Sequence, residues 1–86
     1  MSRNFSVSRS GNTVAVSADL ILEFITFDEQ LECNRRRIAA RKAIEAMLPK
    51  STEMMMNGRE VHRFETEELA MEFFVLFATF LPKAYA

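Results

Sequence analysis

One histidine, His62, and one cysteine, Cys33, stand 29 residues apart in a chain of 86. A thiol activated by an imidazole is the first chemistry that such a pair suggests. Cys33 falls on the apolar face of a predicted helix, as a small core residue does, and His62 alternates with Val61 in a predicted strand, which expects it on the solvent side. Metal binding needs three or four convergent ligands, and no His or Cys spacing supplies them. Glu65, Glu67 and Glu68 gather at a helix start, where the helix dipole accounts for them. Gly11 and Gly58 are the only glycines, each claimed by a turn, so no glycine-rich phosphate loop exists. The residues therefore point away from catalysis, with no cofactor, metal or small-molecule substrate expected.

The other chemically suggestive group is basic: Arg35, Arg36 and Arg37, extended by Arg41 and Lys42. Such a run could track phosphates. On a helix, however, Arg35 and Lys42 share a side with Leu31 and Ile38, while Arg36 and Arg37 point elsewhere, and no aromatic lies between them to stack a base. The charges wrap the helix. A solvated helix whose long arginine stems cover apolar neighbours accounts for them better than nucleic acid does.

Composition sets the frame for these residues. Of the 86 residues 49% are hydrophobic and 27% charged, with eight Phe, six Met and a net charge of -1. One compact domain over residues 1–86 is expected, neither disordered nor a strongly basic or acidic molecule. A domain of this size buries only about 60–65% of the surface its unfolded chain exposes. The apolar inventory exceeds what one small core requires. A single cysteine forms no internal disulfide, which suits a reducing, cytoplasmic setting. The first eighteen residues hold Arg3, Arg9 and five Ser with no acid, yet they lack the apolar centre of a secretion signal and alternate like a strand. The most apolar stretch, Leu69 to Leu81, is 13 residues long and includes Glu72, well short of the roughly 20 that span a bilayer.

Local patterning predicts the elements. Asn4 to Arg9 and Thr13 to Val16 alternate around Ser10-Gly11-Asn12, a β-hairpin. Ser51 to Met56 and Arg59 to Phe64 flank Asn57-Gly58, the pair that populates a type I′ turn most cheaply. In the second hairpin Met54 and Met56 are expected in the core and Met55 outside. Two octets, Ser17 to Phe24 and Thr66 to Phe73, match at Leu, Glu and Phe, and each follows a hairpin. Their common content is a helix start, a Ser or Thr cap followed by an acid and then apolar residues at i and i+4. Either a weak internal ββα repeat, 4–27 and 51–81, or convergence on one helix-start grammar explains the match. A third strand over Leu20 to Phe27 is the competing layout.

The first helical pattern continues to Leu48 and is stopped by Pro49. So long a run predicts a break near Thr26 to Asp28, with Asp28 as a second cap and Glu29 and Glu32 in the new first turn. In the later part Ala40, Ala43, Ile44, Met47 and Leu48 share a face with Cys33, and Leu31 and Ile38 lie nearly opposite. The last helix turns Leu69, Phe73, Leu76, Phe77 and Phe80 one way, carries Met71, Val75 and Ala78 on much of the rest, and ends at Pro82. It should be buried on two sides. The fold class is α+β, ββα(α)ββα, two hairpins in a mostly antiparallel sheet with helices on one face. Ser6, Ser8, Arg9, Thr13, Ala15, Arg59 and Arg63 are expected on the other face.

Two stripes hold the apolar surplus, Leu31 with Ile38 and Met71 with Val75 and Ala78. Either they meet inside the monomer or they face a partner. The leading expectation is a non-enzymatic protein-interaction module acting by steric docking, an inhibitor or adaptor in the style of the compact accessory proteins of phages and mobile elements, an analogy of size only. Leu31, Arg35, Arg36, Arg37, Ile38, Arg41 and Lys42 would form its partner surface, and Met71, Val75 and Ala78 an oligomer interface. Its partner would be another protein or a second copy. The rival is a small dimeric nucleic-acid-binding regulator using the Arg35 to Lys42 helix.

Overall fold

The computed structural model describes residues 5–27 and 35–80. The elements run β1 (Val7–Ser10), β2 (Thr13–Ser17), α1 (Ala18–Thr26), α2 (Arg35–Met47), a 3-10 turn (Leu48–Lys50), β3 (Thr52–Met56), β4 (Arg59–Arg63) and α3 (Glu67–Phe80). This is the expected α+β order. The expected cap at Asp28 with Glu29 and Glu32, the residues Leu31 and Cys33, and the stop at Pro82 lie outside the described residues.

The sheet is wholly antiparallel in the order β1-β2-β4-β3, so each hairpin contributes one central and one edge strand. The two-residue turns differ in kind. Asn57 and Gly58 both have positive φ, 52° and 75°, as a type I′ turn demands, whereas in the first turn only Gly11 does, at 60°. Asn12 also ties the hairpins together: its side chain donates to the Phe64 carbonyl (2.8 Å), and the Phe64 amide donates to the Asn12 carbonyl (2.9 Å).

Both predicted caps form. Ser17 Oγ accepts from the Leu20 amide at 3.4 Å and from the Ser6 amide at 3.1 Å, and Thr66 Oγ1 accepts from the Leu69 amide at 3.2 Å. Residues 18–26 are thus helical, which disposes of the third-strand layout. The acid that follows each cap, Asp19 in α1 and Glu67 with Glu68 in α3, complements the dipole. α2 ends at Met47, two residues before Pro49, which sits inside the 3-10 turn.

The core lies between one face of the sheet and the helices. Val14 and Val16 of the sheet meet Leu20 and Phe24 of α1, Ile44 and Met47 of α2, and Ala70, Phe73, Phe77 and Phe80 of α3. Its aromatic rings form a chain of tilted and edge-to-face contacts, with Phe73 beside Phe64 and Phe77 at 5.0 Å and Phe24 beside Phe80 at 5.4 Å. Each such side chain supplies about 1.5–3 kcal/mol of burial free energy. Ile38, expected to face away from the Ala40 and Ile44 stripe, is half-buried and packs against this same core.

Register corrects three orientations. His62 stands opposite Val14, and Arg9 likewise, so both belong to the helix-covered side; His62 is completely buried there. Val61 lies on the open face instead, between Ala15 and Met54, where its neighbours still cover it to 9% exposure. Met54 therefore points to the open face with Met56, the reverse of the expected assignment, and Met54, Met55 and Met56 are 48%, 66% and 54% exposed. The period of two was right and its phase wrong, because phase is set by the pairing partner and not by the strand's own residues. α3 is also buried on one side only: Met71 and Val75 are 43% and 50% exposed.

Candidate functional site

Two groups of side chains could do chemistry, and one surface could bind. The first group surrounds His62. Its Nε2 lies 2.7 Å from Glu60 Oε1, and its Nδ1 lies 3.0 Å from Ser51 Oγ, so hydroxyl, imidazole and carboxylate stand in a line. Two structural facts place them there. Glu60 and His62 are two apart on β4 and so share a face, and the 3-10 turn delivers Ser51, whose amide and hydroxyl both reach the Leu48 carbonyl at 3.1 and 2.9 Å. A serine, histidine and glutamate in series is the grammar of an activated nucleophile. Here the imidazole is sealed, however, with the Phe73 ring against it at 5.0 Å. The nearby cleft between Asn12, Lys50, Thr52, Arg63, Phe64 and Glu65, about 370 Å³ in volume, is lined by neither Ser51 nor His62. The line of groups satisfies a buried imidazole on both nitrogens and joins the 3-10 turn to β4. Among the described residues no buried side-chain nitrogen or oxygen lacks a partner.

The second group is the basic run. Arg37, only 7% exposed, points into the molecule: its Nε donates to the Phe80 carbonyl at 3.2 Å and an Nη to Glu23 Oε1 at 3.1 Å. Its guanidinium lies over the Phe27 and Phe80 rings, 4.7 and 4.8 Å from their centroids. Arg41 donates to the Phe27 carbonyl and to Glu45 Oε1, and its guanidinium lies 5.7 Å from the Phe24 and Phe27 rings. Phe27 is the C-cap of α1 and Phe80 the last residue of α3, and neither helix has a basic residue in its own last turn. α2 supplies the cations that the dipoles of its two neighbours require.

The expected partner surface is thereby divided. Arg37 and Arg41 are engaged within the fold, Ile38 leans on the core, and Arg35, Arg36 and Lys42 are exposed; Leu31 lies outside the described residues. Of the expected oligomer interface, Met71, Val75 and Ala78 are all exposed on the outer side of α3. The sequence reading missed Ser51 and Glu60, and the i, i+2 spacing of Glu60 and His62 was the available sign. It also missed the exposed Leu22 and Ile25 of α1, 49% and 64% exposed.

Among the described residues no group of three or more His, Cys, Asp or Glu could hold a metal ion, and no helix is long and apolar enough to cross a membrane. No protein-family model matches the chain, and no significant match is found among curated proteins or among solved structures.

Proposed function

We propose that this chain is a non-enzymatic protein-interaction module that docks on a larger protein and acts by covering part of its surface, as an inhibitor or adaptor without turnover. The observation that carries this reading is the outer row of α3. Phe73, Phe77 and Phe80 complete the core on one side of that helix, and Met71, Val75 and Ala78 still face outward on the other. Exposed apolar residues in a row, one of them the adaptable Met, are what interface centres are made of. Arg35 and Arg36 stand near the Phe80 end of this helix, since Arg37 bonds the Phe80 carbonyl, and supply the polar edge of such a surface.

Nucleic acid is the weaker alternative, because Arg37 and Arg41 spend their donors inside the fold. The test is capture of partners from the native cell with wild type and with Met71→Lys/Val75→Glu. A partner held by wild type and lost from the double variant, with an unchanged circular dichroism spectrum, supports the reading. Equal capture by both proteins defeats it. Binding of DNA or RNA whose log affinity falls with log salt, at a slope near the number of phosphate contacts, would favour the alternative.

A further inference from the structure

We infer that a second copy of this chain adds to the exposed edge of β3, joining two four-stranded sheets into one of eight strands about a twofold axis at Met54. This goes beyond the docking reading, which uses α3.

The backbone leads to it. In a type I′ hairpin the residues flanking the turn form a hydrogen-bonded pair, here Met56 with Arg59, so Met56, Met54 and Thr52 turn their backbone groups toward β4. Glu53 and Met55 then point theirs away from the sheet, because β3 is the edge strand. An edge of that kind is a template for another strand. The usual guards are thin: β3 has no Lys, Arg or Pro, its one charge is Glu53, and all five residues are exposed.

Charge and backbone select both the occupant and the register. Two copies of β3 run antiparallel about a twofold axis with outward groups opposite outward groups in only a few ways. Centring on Glu53 sets the two carboxylates face to face, which is unfavourable. Centring on Met55 leaves Glu53 opposite the turn residue Asn57. Centring on Met54 sets each Glu53 opposite the other copy's Met55, so both outward residues of each strand exchange their N–H and C=O groups and no like charges meet. That register also continues an existing row. Ala15, Val61 and Met54 lie side by side on the open face, and the twofold axis extends them through a second Met54 into a second Val61 and Ala15. The contact is small beside the roughly 800 Å² per partner of a standard interface, so association is expected to depend on concentration.

Sedimentation of the full chain from about 10 µM to 1 mM tests this, across the range where weak complexes form. The expected result is a monomer–dimer equilibrium. Met54→Lys places two ammonium groups opposite each other on the axis and should weaken it by at least about tenfold. Met55→Lys faces the other copy's Glu53 and should leave it unchanged or tighter. As a check that does not rely on sedimentation, Met54→Cys in a Cys33→Ser background should cross-link on oxidation, since facing Cα atoms of a non-hydrogen-bonded pair are about 4.5 Å apart. A monomer at every concentration overturns the inference. So does a dimer that ignores Met54→Lys and yields to Met71→Lys/Val75→Glu, or an open series of oligomers from β3 pairing with β1. A monomer that still captures a partner through α3 leaves the docking reading standing, and a β3 dimer that captures nothing does the reverse.

Discussion

The two hairpins occupy equivalent places in the sheet, and each leads into a helix capped by a Ser or Thr, yet their outer strands have different surroundings. Every residue of β3 is exposed, while β1 alternates half-buried and exposed positions and places Val7 against the core. The helices explain the difference. α3 has 14 residues and packs on β1 and β2, whereas α1 has 9 and packs on β2 and β4. Equivalent helix starts lead to helices that lie over β1, β2 and β4, and β3 is left open. The matched octets agree only in part: Leu22 and Met71 are both exposed and Phe24 and Phe73 both buried, but Leu20 is buried where Leu69 is half-buried, and Ser17 is buried where Thr66 is exposed.

Substitutions at equivalent positions measure how far the likeness goes. The largest effect is expected at the shared phenylalanine. Phe73→Ala, within a fully buried cluster of rings, should cost about 3–5 kcal/mol, and Phe24→Ala the low end of that range or less, because Phe24 is 9% exposed. Urea unfolding of both variants decides the order, and a larger loss at Phe24 would mean that the first half holds the core.

Arg37→Leu is expected next, at about 2 kcal/mol, since it removes charged hydrogen bonds to α1 and α3 while leaving Glu23 partly solvated. Arg41→Leu, which acts on α1 alone of the two, should cost about half as much. Equal losses would show that the two helix ends draw equally on α2. The smallest contrast lies at the caps. Ser17→Ala, at a buried hydroxyl that serves two amides, should cost about 1–2 kcal/mol, and Thr66→Ala, at an exposed one, about 0.5–1 kcal/mol. Thermal melts of the pair reverse this order only if the exposed cap holds the longer helix more tightly than its geometry suggests.

Much of the fold was legible in the chain because it is written in local grammar. Asn57-Gly58 announced its turn, and Ser17 and Thr66 announced their helices, through chemistry confined to four or five neighbouring residues. What was not legible depended on partners far along the chain. Whether Val61 or His62 faces the helices is decided by the pairing of His62 with Val14, 48 positions away, and the strand's own alternation is symmetric in that choice. Arg37 read as surface charge for a similar reason: the Phe80 carbonyl it meets is 43 residues distant. Of the candidate surface, the α3 row was legible from helical periodicity, and the open edge of β3 was not, because it follows from which strands the helices pack on.

The arginines of α2 carry a consequence for cooperativity. The ends of helices are ordinarily the first parts of a fold to loosen, each independently of the rest. Here the last carbonyls of α1 and α3 are held by side chains from the helix that lies between them in sequence, across 14 and 43 residues. α2 also brings Ile44 and Met47 to the core, so the docking that closes both helix ends is the docking that buries its apolar face. The segment from Arg35 to Met47 is therefore no appendage to a ββα pair. It ties the ends of both other helices to one element, and a shortened chain without it would lose those ties together with Ile44 and Met47 of the core.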